Sequence, residues 1–388
     1  MLKHIFVLFR NQKKSYGGMF VEQMLVFVVL LYCFIAVGEA IQRYRAPGML
    51  STDNVIYFYD YSRDKNSKLN KDDEMEKLES LRKRLESSPS VIAVAKTSQF
   101  IPYLRGEEDY RTDSVYVGKG KIEAFMKSAD ENTMIVFQPM LDEGSWLKEG
   151  VLEDGSWPAV INRQFADEAG WTDAIGKKLN HSGYEFTVVG ILAGFKHMPM
   201  EPSRPTLIIP FCLNSWHFEY SALVKEGERA NFRIFLYKEF YKIFEKGKEG
   251  LGIVELKKIK DLYLQFDFVL LTGLLIPTGF LLVFAFIGTF GLFWLYSSKR
   301  RKEFALRLVV GSTSRGLFRF VILEGILLTL LALIPVCVLF WWVYPFSIVN
   351  LSAFGVAVGV MILFSAFSAW LPAFQVAKVN PVEAMREE

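Results

Sequence analysis

Histidine and cysteine are scarce in this chain, with four of the first and three of the second among 388 residues. Cys33 and Cys337 lie inside long apolar runs, so with Cys212 they give no disulfide framework. His4, His181, His197 and His217 stand at no metal-ligand spacing from a Cys, Asp or Glu. His197 next to Met198 and Met200 hints at a soft metal, but Pro199, Pro202 and Pro205 in the same stretch predict a surface loop. No serine sits in a Gly-x-Ser-x-Gly elbow, and no pair of carboxylates interrupts an apolar run of the hydrophilic region. The nearest approach to a phosphate loop is Gly170 to Lys178. It has five residues between its glycines and a lysine where the magnesium-binding hydroxyl belongs, and reads as a turn entering a strand. No cofactor is expected, and the chain is not expected to be an enzyme. An excess of one charge is also missing. The net +3 has no concentrated basic face behind it, which excludes nucleic acid as a partner.

What the sequence has is a division. Residues 46–262 hold 30 Lys/Arg against 34 Asp/Glu, which leaves 15 of the 45 basic and 8 of the 42 acidic residues elsewhere. The remainder is therefore basic and apolar, the insert mildly acidic. A helix needs about 20 apolar residues to cross a bilayer. Four stretches supply them: 19–41, 268–296, 318–343 and 346–371. Glu22, Gln23 and Glu39 interrupt the first, which leaves open a signal peptide with Gly38-Glu39-Ala40 as a loose cleavage site. The polar pair sits where a signal peptide should be apolar, so a retained helix with Glu22 snorkelling to the interface is favoured.

Lys3, Arg10, Lys13 and Lys14 precede the first span, and residues 299–319 carry Lys299, Arg300, Arg301, Lys302, Arg307, Arg315 and Arg319. The turn Tyr344-Pro345-Phe346-Ser347 has no charge. By the positive-inside rule both termini are cytoplasmic and residues 46–262 lie on the outer side. Trp341, Trp342 and Tyr344 mark an outer boundary, and Trp294, Tyr296 and Trp370 an inner one. Residues 1–18 set Leu2, Ile5, Phe6 and Phe9 against basic neighbours, which predicts a short amphipathic helix rather than plain flanking charge.

The insert reads as mixed α and β. Strands are predicted at 54–61, 91–95, 114–117, 134–137, 159–161, 186–192 and 206–210, with helices at 72–85 and 163–169. In the third span Glu324 is either part of a proton path or, the favoured reading, snorkels or pairs with a basic neighbour. Gly355 and Gly359 form a GxxxG packing seam, within the bundle or against a second protomer.

Two segments carry a family resemblance. Arg300-Arg301-Lys302-Glu303-Phe304-Ala305-Leu306-Arg307-Leu308-Val309-Val310-Gly311-Ser312-Thr313, followed by Leu323-Glu324-Gly325, resembles the stretch after the second span of MacB/FtsX-like ABC-transporter permeases. The end of the chain, Leu371-Pro372-Ala373 through Asn380-Pro381-Val382-Glu383-Ala384-Met385-Arg386, is similar to their closing motif, and Gly176 with Val188-Val189-Gly190-Ile191 to their periplasmic domain. Residues 232–260 match nothing in that pattern.

The resemblance implies a four-helix integral membrane protein with a mixed α/β MacB-like periplasmic core domain at 46–262, between the first and second helices. It implies a coupling helix within 299–317 that docks on a separate ABC ATPase subunit, with Arg301, Glu303, Phe304, Leu306, Arg307, Val310 and Gly311 as coupling residues. Independently of it, Phe304, Leu306, Val309 and Val310 read as an apolar face, Glu303 and Arg307 as an (i, i+4) pair, and Gly311 as a helix stop. Asn380, Pro381 and Glu383 predict a tail helix within 372–388. The implied partners are the ATPase, a second permease copy or paralogue, the lipid bilayer, and a periplasmic adaptor or outer-membrane protein. The implied location is a bacterial inner membrane, and the implied role is ATP-driven export or extraction of a periplasmic substrate. The alternative is an FtsX-like transmitter that regulates a periplasmic partner without transport. A receptor with no ATPase is weaker, because it needs one span rather than four.

Overall fold

The computed structural model describes residues 13–60, 71–104, 112–213, 219–244 and 250–378. Residues 1–12, the tail residues Asn380, Pro381 and Glu383, and His4 and His217 lie outside the described residues, so the tail helix and most of the amphipathic helix are among the expectations that fall there. The chain forms two compact units, Arg43–Asp267 and the remainder, Met1–Gln42 with Phe268–Glu388.

Helix α1 (Lys13–Arg45) precedes the inserted domain. The insert then runs β1 (Val55–Asp60), α2 (Lys71–Glu86), β2 (Val91–Ser98), β3 (Thr112–Val117), β4 (Gly120–Ala129), α3 (Thr133–Phe137), β5 (Leu141–Gly144), β6 (Trp157–Asn162), α4 (Arg163–Glu168), β7 (Lys178–His181), β8 (Tyr184–Leu192), β9 (Thr206–Pro210), β10 (Glu219–Val224), α5 (Arg229–Ile243) and β11 (Leu251–Glu255). The strands pair in the order β11-β1-β10-β2-β4-β3-β7-β8-β6-β9, and β9 also pairs in parallel with β4. That last pairing closes β4, β3, β7, β8, β6 and β9 into a ring. Val115, Ile122, Ala124, Ala159, Ile161, Leu179, Phe186, Val188 and Leu207 bury together between its strands and α4.

Beside the ring lies an antiparallel sheet of β11, β1, β10 and β2. Successive side chains of a strand point to opposite faces, and β1 uses both. Ile56 and Phe58 face a cluster with α2 and α5, while Val55 and Tyr57 face Phe100, Phe137 and Phe195. Residues 232–260 thereby acquire a structural role. Phe232, Leu236 and Phe240 of α5 cover this sheet with Leu81 and Leu85 of α2, and β11 forms its edge.

Two expectations for the insert are corrected. Residues 134–137 are helical rather than extended, because Asp130 Oδ1 accepts the Thr133 backbone N–H at 3.0 Å and its hydroxyl at 2.8 Å. These bonds close the turn that leads into the helix despite a β-rich sequence, and Gln138 ends it at φ 45°. The His197 segment is not a surface loop. His197 and Met198 are buried, and the imidazole lies 4.4 Å from the Phe125 ring. Burial, aided by Lys127 and Arg204, drives the His197 pKa down to about 2, so the ring is neutral at physiological pH. Among the described residues no three metal-ligating side chains converge. At the phosphate-loop-like stretch, Lys178 opens β7 and pairs with Glu185 at 2.6 Å and Asp154 at 3.1 Å.

The second unit continues with α6 (Leu256–Lys299), α7 (Arg301–Val309), α8 (Ser314–Val343) and α9 (Ile348–Ala377). Among the described residues four helices, α1, α6, α8 and α9, are long and apolar enough to cross a membrane. Phe27, Leu30, Ala285, Leu333, Val336, Ala357 and Met361 bury among them. At Gly325 of α8 an added Cβ would lie 3.1 Å from both Phe293 and the Ser365 hydroxyl, so α8 there approaches α6 and α9 closely. Gly355 and Gly359 do not pack inside the bundle, contrary to one half of the expectation. Both are exposed, and a Cβ on either would meet nothing within 4 Å. Glu22 is not turned outward either, since its carboxylate lies 2.8 Å from the position a Cβ would take on Gly288 of α6.

Candidate functional site

The short helix α7 joins α6 to α8, and one turn of unpaired backbone at each of its ends must be closed. At its C-terminus two backbone donors turn back onto the last turn. The N–H of Ser312 donates to Arg307 O at 2.9 Å and that of Gly311 to Leu308 O at 3.1 Å, with Gly311 at φ 103°. This is a Schellman arrangement, which needs a left-handed residue that glycine adopts at little cost. Thr313 then caps α8 by accepting the Gly316 N–H at 3.1 Å.

At 100° per residue, Phe304, Ala305 and Leu308 share one side of α7, while Leu306, Val309 and Val310 share the opposite one. Phe304 is wholly buried against Leu317, Phe320, Ala373 and Val376. Leu306, Val309 and Val310 are 56, 59 and 81% exposed. The apolar residues thus form two faces rather than one, the inner holding the helix to the bundle and the outer uncovered. Arg301 also belongs elsewhere, lining a cleft between the ends of α6 and α9.

A buried polar network ties α7 to the spans. Arg300 Nη1 donates to both Glu324 oxygens, at 2.9 and 3.0 Å, and its Nε donates to Glu303 at 2.9 Å. Glu303 accepts a second guanidinium from Arg307, and the Tyr16 hydroxyl of α1 donates to Glu324. Glu324 is 3% exposed and Arg300 8%. The Arg300 guanidinium lies 4.9 Å from the Phe304 ring centre, and that of Arg307 lies 4.6 Å from Phe320. Burial works against the charge on Arg300, but the hydrogen bonds to Glu303 and the charge of Glu324 hold its pKa above the ordinary value. Burial also works against Glu303, and its two arginines bring its pKa below the usual carboxylate range. Of the two favoured readings, snorkelling and pairing with a basic residue, the pairing is the one found for Glu324. Its partner is Arg300, 24 residues earlier in the chain, and spacing along α8 gives no sign of that contact.

The chain matches two family models. One, the MacB-like periplasmic core domain, matches residues 27–236, more than half of the chain. The other, the FtsX-like permease C-terminal, matches residues 275–381 and so includes α7 and the Glu324 network. No curated protein matches the chain. Among solved structures it is similar to the periplasmic region of MacB from Actinobacillus actinomycetemcomitans, with 14% identity, 54% of this chain and 92% of that one covered, and a TM-score of 0.39. It is also similar to the extracellular domain of the noncanonic ABC-type transporter YknZ from Gram-positive bacteria, with 13% identity, 52% and 100% covered, and a TM-score of 0.37.

Proposed function

The chain belongs to the family of FtsX-like permeases with a MacB-like periplasmic core domain, and on that premise we propose that it is the permease subunit of an ABC complex whose separate ATPase docks on α7. The family consists of membrane subunits of ABC-type transporters, so ATP is bound and hydrolysed on the partner. The observation that carries the reading is the outer face of α7. Three adjacent apolar side chains, Leu306, Val309 and Val310, stand uncovered in a segment too polar and too short to enter a bilayer. The same helix is tied to α8 and α1 through Arg300, Glu303 and Glu324. Glu303 and Arg307 fix the helix, Phe304 anchors it, Gly311 ends it, and Leu306 and Val310 contact the ATPase.

In this reading closure of two ATPase subunits displaces α7, and the ion-pair network hands the displacement to the spans. Two copies of the chain, or this chain and a paralogue, supply two such helices. The uncovered Gly355 and Gly359 face of α9 is available to the second copy. The basic α6–α8 connection faces the cytoplasm of a bacterial cell, and the inserted domain faces outward, where it acts on a substrate or a partner protein. The test is purification of the tagged full chain from its native membrane, with identification of what accompanies it. A P-loop ATPase in roughly equal amount supports the assignment. Its absence contradicts it. With the ATPase present, ATP hydrolysis stimulated by a small solute favours export, and a stable external protein partner favours signal transmission.

A further inference from the structure

Where α6 and α9 end on the side of the basic connection, a cleft of about 540 Å³ opens between them. Its polar wall is Ser297, Ser298, Arg301, Gln375 and Lys378, and Trp294 stands at its edge. Two cations and two hydroxyls among the described lining residues therefore face one space. Trp294 also lines a second groove of about 600 Å³, which runs along α6 over Gly288 and Gly291 and is walled by Ile287, Phe290 and Leu295. Counting back from 294 to 287 along the helix leads away from its charged end and into the span. The two spaces meet at Trp294, basic and hydroxylic on one side, apolar on the other. A tryptophan at such a junction is the usual mark of the headgroup level.

We propose that this pair of spaces is a site for one anionic phospholipid, its phosphate held by Arg301 and Lys378 and one acyl chain laid in the groove over Gly291. The shape fits that ligand in two independent respects. Basic pockets between transmembrane helices on the cytoplasmic side select acidic headgroups, and the missing side chain at Gly291 leaves room for an acyl chain, whereas the space at Gly288 is taken by the Glu22 carboxylate. At Gly291 a Cβ would meet nothing within 4 Å, so the space above it is open. Lys378 is positioned over the Phe374 ring at 4.3 Å, which keeps its ammonium at the mouth of the cleft. The site is distinct from the outer face of α7 and stands whether or not an ATPase docks there.

The full chain, purified in detergent and stripped of lipid, is titrated with phosphatidylglycerol and with phosphatidylcholine of the same acyl chains, and bound lipid is counted by native mass spectrometry. The expected result is a preference for phosphatidylglycerol of about thirtyfold, as two surface-level cations would give. The R301Q/K378Q double variant should lose the preference and bind the two lipids alike, whereas R315Q, which changes a cation outside the cleft, should keep it. G291L fills the groove without altering charge, and should weaken binding of both lipids while leaving the melting temperature unchanged. Equal binding of the two lipids by the unaltered chain, or a preference that survives in R301Q/K378Q, overturns the proposal. So does displacement of the lipid by millimolar inorganic phosphate, which would show that the cleft reads a free anion rather than a lipid.

Discussion

Glu324 brings a charge into a helix that is otherwise apolar, and the cost of that charge is set by what surrounds it. Tyr16 and the forked contact from Arg300 satisfy both of its oxygens. Removing one member of a buried pair leaves the other uncompensated, at about 3–5 kcal/mol, whereas replacing both by apolar groups of similar size is far milder. E324A should therefore lower the thermal denaturation midpoint of the purified chain strongly, and R300M/E324M should recover much of the loss. Equal losses in the two would mean that the pair does not hold α7. Asp130 gives a second residue-scale outcome. Burial raises its pKa to about 6 despite the bonds it accepts from Thr133 and Lys96. With an unfolded value near 3.9, the folded state holds the extra proton below about pH 6. Stability from this group is thus full below about pH 4 and falls as pH rises through 6, by on the order of 3 kcal/mol. Unfolding of the full chain followed from pH 4 to 7 should show that decline, and D130N should flatten it.

At the scale of the element, α7 shows what the sequence made legible and what it did not. The stop at Gly311 was readable because glycine at that place has one common use, and the Schellman bonds realise it. Since a Cβ there meets nothing within 4 Å, any cost of substitution comes from the backbone at φ 103° alone. G311V should then destabilise by about 1–2 kcal/mol and G311N by less, read from the same denaturation midpoint. The Glu303–Arg307 pair was also readable, because its two members are one turn apart. The single apolar face was misread. Phe304 and Leu306 are two positions apart, which on a helix puts them on nearly opposite sides, and a count of apolar residues passes over that angle. Arg300 as the partner of Glu324 was not legible at all, because the two meet only when α6, α7 and α8 fold back on one another.

For the whole molecule, the four spans were readable from long apolar runs, and the insert from its acidic, mixed composition. Their ends were less so. The helix of the second span begins at Leu256, well before its apolar run, since charged residues such as Lys257 and Lys260 continue a helix as easily as leucine. Within the insert, β1 was signalled by a β-rich run and α2 by helical spacing, whereas β10 and α5 were not signalled. In α5 the aromatic residues Phe232 and Phe240 alternate with lysine and arginine without a clean stripe, and only the facing sheet shows which of them is buried. The closed ring of six strands depends on the β4–β9 pairing between residues about 80 positions apart, a contact no local pattern encodes.

The central claim is that the outer face of α7 receives an ATPase. It is tested most directly by comparing the ATPase that co-purifies with the unaltered chain and with L306D/V310D, two exposed positions whose change leaves the buried Phe304 face intact. The account predicts a loss of associated ATPase of at least about tenfold, as expected for two apolar contacts of about 1 kcal/mol each replaced by charges, with an unchanged denaturation midpoint. Undiminished association in that variant would contradict it.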